Sequence, residues 1–133
     1  MSAASGTAQV KLLFCLRRRA DLTREEFQEY WQGSHGKLGV ELADDLGFIR
    51  YVQSHTLSAP LNDALQASRS APPAYDGVVE LWFESVEAVE RTFSTPKGRA
   101  AARRLVEDES NFVDVSASPI FLVSEHGMYE KPL

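Results

Sequence analysis

Between Thr23 and Leu46 the chain reads TREEFQEYWQGSHGKLGVELADDL, which sets an ionisable ring on an apolar stripe. Phe27, Trp31, His35, Leu38, Leu42 and Asp45/Leu46 recur at spacings of three and four, one face of a helix. Histidine exchanges a proton near neutral pH, so on such a face it is either a general acid or base, or a buried ring hydrogen-bonded to backbone. Gly33, Gly36 and Gly39 surround it, and each costs about 1 kcal/mol relative to alanine in a helix interior. A helix that accepts three glycines there is predicted to be broken, with room beside the ring. A second set lies at Tyr51, Gln53 and His55. Period two puts Ile49, Tyr51, Gln53, His55 and Leu57 on one strand face, and Arg50, Val52, Ser54 and Thr56 on the other. The first face is the more apolar and is expected to lie beneath Trp31 and His35. Two imidazoles, a phenol and an amide would then converge in an aromatic-lined pocket, the usual setting for small-molecule binding. The alternative is that Tyr51 and Gln53 only satisfy buried backbone.

Other chemistries find little support. His35 and His55 fall on different elements with no HxH or HExxH spacing, and His126 lies in the tail, so no metal site is expected. There is no GxSxG nucleophile motif, and Cys15 sits within an apolar strand without a nearby cation, which marks it as an inert core thiol. Asp44-Asp45 reads as a solvated helix end. Gly33, Gly36 and Gly39 do not follow a strand, so they form no phosphate-binding loop. No nicotinamide, flavin or haem site is recognisable, and no cofactor is expected. The net charge of −5, with nothing more basic than Arg17-Arg18-Arg19, argues against nucleic acid. No apolar run reaches the ~18 residues of a membrane span. MSAASGTAQ lacks the basic and apolar regions of a signal peptide, and a cytoplasmic protein is the expectation.

The elements that must position these residues follow in order. A length of 133 residues, 44% hydrophobic and 25% charged, is that of one ordinary globular domain. Residues 1–8 read as a loose tail. Val10 to Arg17 is rich in strand formers. Thr23 and Glu26 form a capping box that starts the helix. Phe48 to Leu57 is a second strand, and Ser58 to Tyr75, with Pro60, Pro72 and Pro73, reads as a long loop, functional or disordered. Val78 to Phe83 is a third strand. Ser85 and Thr95-Pro96 are helix starts, which divides Val86 to Glu109 into two pieces near Ser94. Val115 to Val123 is the last strand, and residues 126–133 form a tail. The order βαββαβ is that of a ferredoxin-like α+β sandwich, with two helical regions on one face of a four-stranded antiparallel sheet. Leu13, Cys15, Val78, Trp82, Phe121 and Val123 are apolar on the opposite face too, where an exposed sheet would alternate with polar residues. That predicts a face-to-face homodimer.

The phrases LLFCLRRRADLTREEFQEYWQGSHGKL, RYVQSHTL and YDGVVELWFESVEAV, spread over Val10 to Glu125, resemble the EthD family of dimeric α/β-barrel proteins. Tyr30-Trp31-x-x-x-His35 followed by Arg50-Tyr51-Val52-Gln53-x-His55 carries the likeness. The resemblance implies the ferredoxin-like fold over residues 9–125 and a dimer. It also implies kinship with polyketide cyclases, lactone isomerases and cofactor-free monooxygenases; the family takes its name from a protein encoded with an ether-degrading monooxygenase system. The Ser58 to Tyr75 insertion departs from the pattern and is expected to cover or narrow the pocket.

Together these readings predict a cofactor-free enzyme of small-molecule catabolism acting on a hydrophobic, aromatic or polyketide-like substrate by cyclisation, isomerisation or dehydration. His35 moves the proton, His55 and Tyr51 polarise a carbonyl or phenolate with Gln53, and Trp31, Gln53, Trp82 and Phe27 contact substrate. Proton abstraction beside a carbonyl needs only such groups. Two competing expectations are a non-catalytic accessory or binding protein of an oxygenase pathway, and a cofactor-free monooxygenase using Trp31 or Trp82.

Overall fold

The computed structural model describes residues 9–133; the tail expected at 1–8 lies outside them. Four strands, β1 (Val10–Leu16), β2 (Arg50–His55), β3 (Gly77–Phe83) and β4 (Ile120–Val123), form one antiparallel sheet in the order β2-β3-β1-β4. The register sets Leu12 opposite Leu81 and Leu122, and Phe14 opposite Val79 and Ile120, so these residues share one face. All the long helices except the one inserted between β2 and β3 lie over that face. The fold is therefore the ferredoxin-like α+β sandwich that the element order implies.

The first helical region begins where the capping box requires. Thr23 Oγ1 accepts from the Glu26 amide at 3.0 Å, and Glu26 Oε1 accepts from the Thr23 amide at 2.8 Å. From there α1 (Arg24–Tyr30), a π-helical turn (Trp31–His35), α2 (Gly36–Glu41) and α3 (Ala43–Leu46) follow one another. The expected break at the glycines is instead this wider turn. An α-helix of 3.6 residues per turn lets positions four apart drift around its axis, whereas an i→i+5 turn takes up the excess. The turn thus keeps Phe27, Trp31 and His35 in line on the sheet-facing side, and all three are buried.

The second helical region is split as expected. α5 (Val86–Ser94) is capped by Ser85 and α6 (Pro96–Glu109) by Thr95; these are the fifth and sixth α-helices of the chain. The remaining one, α4 (Pro60–Ser68), corrects the reading of Ser58 to Tyr75 as a loop. Pro60 occupies the first helical turn, where its missing N–H and fixed φ favour a helix start. α4 buries none of its residues, and Leu61 and Leu65 remain exposed. The segment after it is pinned by the residue that follows β1. The Arg17 guanidinium donates to the Pro73 and Ala74 carbonyls at 2.8 Å each and stacks on the Tyr75 ring. The last strand is shorter than read: Val115–Ala117 is a 3₁₀ turn, and Pro119 offers only its carbonyl, to the Cys15 amide.

The core gathers under the first helical region. Trp31, fully buried, stacks on His55 with ring centroids 4.3 Å apart. It also lies against Gly77, where any Cβ would collide with the indole ring. Phe27, Phe112, Leu16 and Phe14 complete this cluster. The opposite sheet face carries Leu13, Val78, Trp82, Phe121 and Val123, and among the described residues none of these belongs to the hydrophobic core clusters. Its apolar character is interrupted by Lys11, which lies over the Trp82 ring and 3.4 Å from Glu80. No helix of the described residues is long and apolar enough to cross a membrane.

Candidate active site

The sheet and helices line an open-mouthed cavity of about 140 Å³. Its floor is the helix-facing side of β1 and β3, with Leu12, Leu81 and Phe83. Its sides come from Phe48, from Thr92 and Phe93 on α5, and from Leu105 and Val106 on α6. Phe93, Val106 and Ile120 are both exposed and cavity-lining, so they mark the mouth. The ionisable groups on the wall are His35, Tyr51 and Glu109. An apolar hollow with few polar groups is the ordinary form of a small-molecule site.

His35 is held by a carboxylate. Its Nδ1 lies 2.7 Å from Asp108 Oδ2, near the end of α6. A carboxylate only accepts, so Nδ1 carries the proton and Nε2 keeps its lone pair. Asp108 is itself held by the Tyr30 hydroxyl at 2.7 Å and the Asn111 amide at 3.2 Å. Burial disfavours the Asp108 charge, but the hydrogen bonds from Tyr30 and His35 outweigh it and keep its carboxyl below the ordinary range. For His35 the balance goes the other way. Burial lowers its pKa more than Asp108 raises it, and the ring is neutral at neutral pH. A ring held at Nδ1 by a carboxylate is the pairing that fixes a tautomer in hydrolytic triads.

Glu109, the last residue of α6, also lines the cavity; its carbonyl accepts from the Phe112 and Val113 amides, but its carboxyl has no hydrogen-bond or ion-pair partner among the described residues. Burial, and then the neighbouring Asp108 charge, push its pKa up to about 7. Two carboxyls adjacent in sequence therefore titrate in different ranges: Asp108 is ionised at neutrality, while Glu109 is protonated on the acid side of about pH 7.

The strand β2 set forms a relay beside the cavity. Gln53 Nε2 donates to the Tyr51 hydroxyl at 2.7 Å and to the Trp31 carbonyl at 2.9 Å, while its Oε1 accepts from His55 Nε2 at 2.9 Å. The Tyr51 ring is a wall shared by the cavity and a shallow groove beside Gly36, Lys37 and Val40. It can lie there because residue 39 is glycine: a Cβ would stand 2.8 Å from Tyr51 Cε2. Burial raises the Tyr51 pKa and lowers that of His55.

Of the residues singled out in the sequence, the structure brings His35 and Tyr51 to one cavity. Gln53 and His55 stand behind Tyr51, off the cavity wall. Trp31 and Phe27 are core residues beneath the π turn, and Trp82 lies on the opposite sheet face, between Lys11 and Arg50. No residue of the 58–75 segment lines the cavity, so the expected cover over the pocket is not formed. Asp108, Glu109 and Phe48 were missed. Among the described residues no three His, Cys, Asp or Glu side chains gather as a metal ligand set.

Solved structures share this architecture. An EthD-like protein from Ralstonia eutropha superposes with a TM-score of 0.59 at 14% identity, over 89% of this chain and 92% of its own. A dimeric protein of ferredoxin-like fold from Bacteroides fragilis gives 0.56 at 11% identity, over 88% of this chain and 96% of its own. SnoaB, a cofactor-independent oxygenase from Streptomyces nogalater, gives 0.55 at 12% identity, over 93% and 99%. No curated protein matches the sequence. The EthD domain, however, matches residues 19–116, a span that holds His35, Tyr51, Asp108 and Glu109, and the chain belongs to the EthD family.

Proposed function

We propose that this protein is a cofactor-free enzyme that removes a proton beside a carbonyl, or from a phenol, of a hydrophobic aromatic or polyketide-like substrate. Cyclisation, isomerisation and loss of water all begin with that step. The observation that carries the reading is the 2.7 Å Nδ1 bond from His35 to Asp108 on the wall of an otherwise apolar cavity. It leaves Nε2 as the basic atom, while Tyr51, with Gln53 and His55 behind it, orients the substrate.

A second copy completes the molecule in this reading. Leu13, Trp82 and Phe121 share a sheet face outside the hydrophobic core clusters, and the dimeric Bacteroides neighbour shares the fold. A cytoplasmic setting fits the single unpaired Cys15. A second reading has the fold of SnoaB behind it: the carbanion made by His35 would be the electron donor to dioxygen in a cofactor-independent oxygenation.

Deuterium uptake tests the proton-transfer step without knowledge of the natural substrate. 2-Acetylnaphthalene fits the aromatic, apolar description and carries an exchangeable methyl group. Wild-type protein in D₂O should speed loss of the methyl proton signal over buffer. His35→Gln should lower that rate by roughly 10²–10⁴, the span of a lost general base. Equal exchange per folded molecule in the two proteins would make His35 a structural residue.

A further inference from the structure

Glu109 is the one wall group that the proton-abstraction scheme leaves without a task. Its side chain lines the same cavity as His35 and has no partner among the described residues. Its position at the C-terminal end of a fourteen-residue helix sets it against the negative pole of the helix, which disfavours a carboxylate. The charged and titratable groups facing it are His35 from the π turn, Tyr51 from β2 and Asp108 beside it; Glu109 in turn acts on the Tyr51 hydroxyl through its charge. None of these is a cation at neutral pH, because His35 is neutral and Asp108 is ionised.

We propose that Glu109 is a neutral acid that donates its proton to the substrate's carbonyl oxygen, and that the site selects uncharged carbonyl compounds over carboxylates. The inference rests on His35 as the base in the proposed function. In the step, His35 Nε2 takes the proton from the carbon beside the carbonyl. The C–H electron pair becomes the carbon–carbon double bond, the carbonyl π pair moves to oxygen, and that oxygen takes the Glu109 proton. The product is the enol, with an imidazolium braced by Asp108 and a Glu109 carboxylate; net charge is unchanged. Both protons return when the enol is protonated at carbon. An anionic substrate would face two carboxylates and no counter-cation once Glu109 ionises near pH 7.

A matched pair of probes tests this by binding alone. 2-Acetylnaphthalene and 2-naphthoate have nearly the same shape and differ in charge. Calorimetric titration of the wild-type protein at pH 8 should give 2-acetylnaphthalene at least a tenfold advantage. Between pH 6 and pH 8 affinity for both should fall, more steeply for 2-naphthoate, since the ketone loses only a donor while the carboxylate also gains a repulsion. Glu109→Gln, which keeps a donor and cannot ionise, should flatten both pH profiles and retain the fold by thermal melt. Equal affinities for the two probes, or profiles unchanged in Glu109→Gln, would overturn the role of Glu109 and leave His35 as base untouched. Failure of the wild-type protein to bind either probe would overturn both this inference and the reading of the cavity as a substrate site.

Discussion

Replacing Glu109 by Gln should make the protein more stable, and only on the alkaline side. The folded-state pKa of Glu109 is raised from the ordinary 4.5 to about 7, by burial first and by Asp108 second. Between those limits the folded chain holds a proton that the unfolded chain has released. The contribution of this group to stability is therefore fully present below about pH 4.5 and is lost as the pH rises through about 7. Each pH unit of that gap is worth about 1.4 kcal/mol, so the loss is bounded at roughly 3 kcal/mol. Water reaching the site through the open mouth reduces it, and a span of about 1–3 kcal/mol is expected at pH 8. Gln has nearly the shape of the protonated acid and does not titrate. Any fixed offset from its extra donors is the same at every pH, so the slope carries the information. Urea unfolding of both proteins at pH 5 and pH 8 measures it, and the variant's relative stability should rise by about 1–3 kcal/mol across that interval. In a chain of this size that corresponds to roughly 3–10 °C in Tm at pH 8. A difference that stays flat, or that falls with pH, would show that Glu109 is ionised in the folded protein and would refute the electrostatic account of the cavity.

Two further outcomes follow from the same geometry. Asp108→Asn leaves one acceptor oxygen where the carboxylate has two and removes its charge, so it cannot accept from both His35 Nδ1–H and the Tyr30 hydroxyl. Deuterium exchange should fall by about 10²–10⁴ and unfolding free energy by about 1.5–3 kcal/mol; a variant with full exchange would show that His35 needs no orienting carboxylate. The open sheet face should make the protein sediment near 30 kDa, twice its 14.8 kDa. Phe121→Asp on that face should shift it to monomer, and a wild-type monomer at micromolar concentration would remove the dimer.

The fold was legible because it depends on patterns that local chemistry enforces. The capping box at Thr23 and Glu26, the starts at Ser85 and at Thr95-Pro96, and the period-two faces of the strands all appear where the sequence places them. Pro60 misled for a stated reason: proline closes a helix from within but opens one at its first turn, and only the later residues of α4 distinguish the two. The open sheet face is less apolar than the alternation of Leu13, Cys15, Val78 and Trp82 suggests, because Lys11 and Glu80 stand on it too, 3.4 Å apart once the strands are in register.

The site was half legible, and the missing half lies in tertiary structure. His35 could be singled out from its own stripe, and Tyr51, Gln53 and His55 from theirs. Nothing local says that residue 108 meets residue 35, since that contact requires α6 to run back along the first helical region. One signal was nevertheless present in the chain. Glu107, Asp108 and Glu109 end a helix whose last turn carries no basic residue, which sets three acids against the helix dipole. Such an arrangement persists only where something else stabilises it or where function requires it. Adjacent helical residues point about 100° apart, so Asp108 and Glu109 meet different partners although each feels the other's charge. Asp108 turns toward Tyr30 and His35 and is held as an anion; Glu109 turns to the apolar cavity and is held as an acid. In the proposed reaction, one helix end thus supplies both the group that orients the His35 base and the proton that the carbonyl oxygen takes.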